Sequence, residues 1–157
     1  MGIFKKLFGG TSASQPSGPI FPGESFSILK LNFPDGWGLA TVNKAYDNYP
    51  NKSLYPWHVF IEIEVIDKNE NGHPTSSEAE KLNKIEEDIE KLLKQNQTVH
   101  FVARIIRNGF RELLYYIDQP RLKQSDISTF CDNVMKERGI NFSIREDAEW
   151  KSVGFIK

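Results

Sequence analysis

The chain has 157 residues, 39% hydrophobic and 12% aromatic, which suits one domain with its own core. Its 20 basic and 21 acidic side chains leave a net charge of −1, which excludes a global pull toward nucleic acid or anionic lipid. A lone cysteine, Cys131, excludes an internal disulfide and fits a reducing, cytoplasmic setting, and no apolar run approaches the roughly 20 residues that span a bilayer.

Residues 1–24 read as a flexible N-terminal segment and linker. Lys5 and Lys6 interrupt the apolar run that a signal peptide needs, and Lys6 stands where myristoylation wants Ser or Thr. Ile3, Phe4, Leu7 and Phe8 form a short apolar face beside the two lysines, a weak membrane-surface or partner-docking element. Two turns of helix are marginal alone, so a frayed start is the favoured reading. Residues 9–24 have the Gly, Ser and Pro content of a linker, too poor in apolar residues to pack.

A single α+β domain is expected over 25–157. Residues 25–46 read as a hairpin turning at Pro34-Asp35-Gly36. Residues 47–56, with Pro50 and Pro56, read as a loop. From Trp57, Val59, Ile61, Ile63 and Val65 alternate with His58, Phe60, Glu62 and Glu64, the period of a strand. Ala79, Leu82, Ile85, Ile89, Leu92 and Leu93 recur at helical spacing, and Thr75-x-x-Glu78 reads as a capping box.

Asn108-Gly109 joins strands at 98–107 and 110–118, because both residues tolerate positive φ. A two-residue turn pairs Ile106 with Arg111, Arg104 with Leu113, Val102 with Tyr115 and His100 with Ile117. The face with Val99, Phe101, Ala103, Ile105, Leu114 and Tyr116 is taken as core. The other carries His100, Val102, Arg104, Arg111, Leu113 and Tyr115. A second helix carries Ile127, Phe130, Cys131, Val134 and Met135 on one stripe, and Gly139 is expected to end it in a left-handed cap. Ile140, Phe142 and Ile144 give a last strand, and Trp150, Val153 and Phe155 are expected to pack back. The order strand, helix, strand, strand, helix, strand over 57–150 implies a ferredoxin-like antiparallel sheet with both helices on one face. The N-terminal β-hairpin must extend or cover that sheet.

Asp67-x-Asn69-x-Asn71-Gly72-x5-Glu78 fits the spacing of a calcium loop. A strand precedes it, Pro74 disrupts it, and Asn71-Gly72 with the capping box explains the same residues, so metal binding is not expected. His58, His73, His100 and Cys131 lack zinc spacing. No nucleophile elbow or phosphate loop is present. Cys131 is assigned to the core rather than to catalysis. Glu62 and Glu64 point to one side of a strand and could act as acid and base, the signature of a cryptic hydrolase, although a solvated face is the simpler reading.

The sheet face away from the helices is then expected to show His58, Phe60, Glu62 and Glu64 beside His100, Arg104, Arg111 and Tyr115. Aromatics with arginines suit single-stranded RNA, but the glutamates oppose phosphate, and a face covered by the hairpin or a partner is favoured.

Several short motifs stand in a telling order: Ala40-Thr-Val-Asn43, Tyr55-Pro56, Asn71-Gly-His-Pro74 leading to Glu78 and Leu82, Asn108-Gly-Phe-Arg111 with Tyr115-Tyr116 and Asp118, and Asp147-x-x-Trp150. Over about residues 36–150 the chain resembles the uncharacterised bacterial family numbered 695 among domains of unknown function. The resemblance makes the glycine-proline loop a family turn and supplies no catalytic residues. A more distant likeness, in α+β layout and terminal Trp segment, is to the bacterial protein inhibitor of ribonuclease E.

The expectation is a bacterial cytoplasmic, non-enzymatic protein-interaction or regulatory module, binding another protein through the sheet face or the hairpin. The alternatives are a nucleic-acid-associated regulator and a cryptic hydrolase. The binding residues singled out are His100, Arg104, Arg111, Tyr115 and Phe60, with no catalytic residue, metal ligand or cofactor.

Overall fold

A computed structural model describes residues 15–157, so the expected frayed start and the Ile3–Phe8 face lie outside the described residues. The strands are β1 (Phe26–Phe33), β2 (Gly36–Asn43), β3 (Trp57–Glu64), β4 (Val99–Arg107), β5 (Phe110–Ile117) and β6 (Ile140–Glu146). The helices are α1 (Ser76–Leu93) and α2 (Gln124–Met135), with short 3-10 turns at Lys44–Tyr46, Lys52–Leu54 and Lys151–Ile156. All six strands form one sheet in the order β1-β2-β4-β5-β3-β6, every neighbour antiparallel. The protein is therefore α+β. Among the described residues no helix is long and apolar enough to cross a membrane.

Alternation in β3 buries Val59, Ile61 and Ile63 beneath both helices. Leu82, Ile89 and Leu93 of α1 pack on this face, and Phe130, Cys131 and Val134 of α2 pack beside them. The opposite face is covered by the chain itself. Tyr46, from the end of the expected hairpin, and Tyr49 and Tyr55, from the stretch expected to be a loop, close over Ala103, Leu114 and Tyr116 together with Trp150, Val153 and Ile156. The hairpin does not cover the sheet; it extends it, with Leu39 opposite Ile106 and Val42 opposite Ala103.

One inserted residue overturns the expected register. Arg104 faces Leu113 and Ile106 faces Arg111 as the Asn108-Gly109 turn dictates, but Phe101 then pairs with Tyr115 and His100 with Tyr116. Val102 is the extra residue of a β-bulge between Phe101 and Ala103. Val102 and Ala103 both pack in the cluster away from the helices. The facing assignment reverses as well. Ala103, Ile105, Leu114 and Tyr116 lie away from the helices, whereas Leu113, Tyr115 and Val99 lie beneath them.

Three local expectations are also corrected. Gly139 does not adopt positive φ; its N–H donates to the Glu64 carboxylate (2.9 Å). The capping box is half made: Thr75 Oγ1 accepts from the Glu78 N–H (3.4 Å), while the Glu78 carboxylate turns inward. The described part of the linker is tied down, with Ser17 and Asn51 exchanging hydrogen bonds (2.7 and 2.9 Å) and the Tyr49 hydroxyl donating to the Ile20 carbonyl (2.5 Å). In the tail Trp150 and Val153 are buried as expected, but Phe155 stays exposed against Phe33.

Candidate functional site

The bulge, which reverses His100, and the β3–β5 register, which sets Phe60 opposite Leu114, divide the five residues singled out from sequence. Arg104, Arg111 and Tyr115 lie on the helix side, while His100 and Phe60 lie on the other, so no single face carries all five.

On the helix side the organising residue is Glu86 of α1, which sequence reasoning passed over. Its signal is its place in the buried stripe Leu82–Glu86–Ile89–Leu93. A carboxylate in an apolar stripe needs a partner, because an unpaired buried charge is costly. Arg104 supplies a two-pronged one, Nε to Oε2 at 2.9 Å and Nη2 to Oε1 at 2.6 Å. Arg111 adds Nη1 to Oε2 at 3.0 Å and donates to Asn83 at 2.8 Å. Burial lowers the Arg111 pKa; at Arg104 burial acts the same way, but the bonds and charge of Glu86 outweigh it and the pKa rises. Burial pushes the Tyr115 hydroxyl well above its ordinary value, and that hydroxyl has no hydrogen-bond partner among the described residues. The two guanidiniums are thus committed to Glu86 rather than free for phosphate.

Arg104 and Tyr115 line a cleft of about 670 Å3. Its walls are Glu86 and Glu90 of α1 with Lys94 at the helix end on one side and Phe21, Pro22 and Phe26 on the other. Beyond the cleft the helix-side face of the hairpin lies open. Ile28 is 75% exposed, Phe26 48% and Trp37 39%, with the Lys30 ammonium 4.7 Å from the centre of the Trp37 ring.

The other side is an aromatic clasp. His100 is fully buried, its Nδ1 2.8 Å from the Tyr46 hydroxyl and its ring 4.1 Å from that of Tyr55. His58 is buried 5.0 Å from the Tyr116 ring, with neither ring nitrogen hydrogen-bonded among the described residues. Burial pushes both imidazoles down to about 4, so both are neutral at pH 7. Tyr116 stacks on Trp150 at 3.9 Å and 7°. The Trp150 indole N–H donates to the Lys52 and Tyr55 carbonyls (3.1 and 3.0 Å). Asp147 accepts from the Tyr116 hydroxyl (2.6 Å) and from the N–H groups of Lys151 and Ser152 (2.9 and 2.8 Å). Burial alone would raise the Asp147 pKa, but these bonds bring it down to about 2. Phe60 is half-buried against this cluster.

The calcium-like loop spends its oxygens internally. Asp67 accepts from the Thr75 hydroxyl (2.7 Å), and Asn69 from the N–H groups of Asn71 and His73 (3.0 and 3.1 Å). Glu78, also on the buried stripe of α1, accepts from the Ile66 N–H (3.0 Å) and pairs with the buried Arg138. Among the described residues no cluster of three His, Cys, Asp or Glu side chains is arranged to hold a metal ion. Glu62 lies opposite Glu112, which is bonded to Arg107 (2.8 Å), and Glu64 is tied to Gly139.

The class defined is an antiparallel α+β protein with one sheet face under two helices and the other under its own aromatic clasp. The family model described as "Family of unknown function (DUF695)" matches residues 34–155, and the chain belongs to that family. The matched span runs from the first hairpin turn into the last 3-10 helix and takes in Tyr55, Tyr116, Asp147 and Trp150. No curated protein and no solved structure matches the chain.

Proposed function

We propose that the protein is a non-enzymatic binding module that receives a protein partner on the helix-side face of its first hairpin. The observation that carries this reading is the apolar surface left by Phe26, Ile28 and Trp37 beside the cleft. Grouped apolar side chains at the surface mark contact sites more often than they serve folding. The adjoining wall of α1 presents Glu87 and Glu90, which favours a partner bringing basic groups with its apolar ones. A cytoplasmic setting suits the single half-buried thiol of Cys131. The segment β3–α1–β4–β5–α2–β6 is read as ferredoxin-like. Its strand order β4-β5-β3-β6 and the packing of both helices on one face support that reading.

The test is affinity capture from native cells with the full chain and with Trp37→Glu, a change on β2 at an exposed site. A protein enriched by the parent and lost with Trp37→Glu supports the reading. Enrichment of nothing, or equal enrichment by both, overturns it.

A further inference from the structure

Strand β1 ends the sheet, and among the described residues no strand pairs with its outer edge. The phase of its hydrogen bonds is fixed at one end, where the Lys44 N–H donates to the Ser25 carbonyl at 2.8 Å. Bonded pairs alternate along an antiparallel ladder, so Ser27, Leu29 and Leu31 turn their backbone groups toward β2. Phe26, Ile28, Lys30 and Asn32 turn theirs outward. An exposed edge is usually blunted by proline, a bulge or several charges. This one runs eight residues without proline or bulge, and its single charge is Lys30.

We propose that β1 pairs antiparallel with β1 of a second copy of this chain, about a two-fold axis through Leu29. Such an axis sets Phe26 opposite Asn32 and Ile28 opposite Lys30, so every outward N–H and carbonyl finds a partner. A one-residue slip turns each side chain to the wrong face. Centring on Lys30 brings two like charges together and sets Phe26 opposite Pro34, which has no N–H. Centring on Ile28 sets Asn32 opposite Glu24, outside the strand. Only the Leu29 centre uses the whole edge. In that arrangement Leu29 meets its own copy on the clasp side, and Ile28 packs along the Lys30 stem on the helix side. The two six-stranded sheets become one, and the open faces of both hairpins join across the axis. This inference goes beyond the binding reading and does not depend on a foreign partner.

Sedimentation equilibrium of the purified full chain over roughly 1–200 µM tests it. The expected mass is twice 18.0 kDa. Ile28→Pro removes an outward N–H and no inward bond, at an edge where proline is tolerated, and should weaken self-association about tenfold or more. In a Cys131→Ser background, Leu29→Cys should form an intermolecular disulfide under mild oxidation much faster than Lys30→Cys. That comparison decides the matter even if the proline variant fails to fold. A chain monomeric throughout overturns the proposal, as does faster cross-linking at Lys30→Cys. So does a dimer that forms only once residues 1–14 are removed, which would give the edge to that segment. None of these readouts involves a captured partner, so failure here is distinct from failure of the binding reading.

Discussion

Acidification from about pH 7.5 to about pH 5 should destabilise the fold through His58 and His100. Both imidazoles are held at about 4 in the folded chain, below the 6.5 of an ordinary histidine. The unfolded chain therefore takes up protons first. The stability is fully present above 6.5 and is lost as the pH falls from there toward 4. At pH 5 each histidine accounts for about 2 kcal/mol, so the pair accounts for about 4 kcal/mol as an upper figure. Around His58 lie Arg145, directly opposite on β6, and Asp147. Asp147 is held at about 2, so its own contribution is lost only below its ordinary 3.8, outside this window. Glu112, raised chiefly by burial, acts in the opposite sense on acidification. His58→Leu isolates the effect, since neither ring nitrogen has a partner to lose among the described residues. Urea unfolding of parent and variant at the two pH values is the assay. The variant should match or exceed the parent at the higher pH and lose about 2 kcal/mol less on acidification. An equal loss in both proteins would refute the assignment.

The buried Glu78–Arg138 pair makes a second case. Glu78→Gln leaves the Arg138 guanidinium buried without a counter-charge and should cost about 3–5 kcal/mol, whereas Glu78→Leu with Arg138→Met should cost less, both read by urea titration. Trp150→Ala opens the clasp and should cost about 3–5 kcal/mol, with loss of the near-ultraviolet circular dichroism of the aromatic cluster. Gly139→Ala should cost less than about 1 kcal/mol in the same titration, because the new methyl meets a movable Glu64 carboxylate oxygen at 3.3 Å and no positive φ is required.

Strong local signals carried most of the elements. The alternation of β3, the helical stripe of α1 and the Asn108-Gly109 turn (φ 50° and 77°) all act between near neighbours, and the elements appear where those signals put them. What failed was facing. Both sheet faces are covered, so β5 is buried along nearly its whole length and its alternation cannot say which side holds the helices. The bulge at Val102 has no glycine or proline to mark it, and it moved His100 away from Arg104 and Tyr115. The clasp was also hidden, since Tyr46, Tyr49 and Tyr55 lie in a polar, proline-bearing stretch and find Trp150 only through the tertiary fold. Yet Tyr55, Tyr116, Asp147 and Trp150, scattered along the chain in the family-like motifs, converge there. Glu86 and Glu78 could have been noticed as acids within an apolar helical stripe.

The clasp also bears on how the protein is made. Its closing residues, Asp147 to Ile156, follow every strand of the sheet. A chain emerging from the ribosome therefore exposes Val102, Ala103, Leu114 and Tyr116 before Trp150 exists to cover them. At ordinary elongation rates that interval is on the order of seconds, long enough for a chaperone or a neighbouring nascent chain to engage the bare face. A pause in translation shortly before residue 147 would lengthen that exposure, and a faster passage would shorten it.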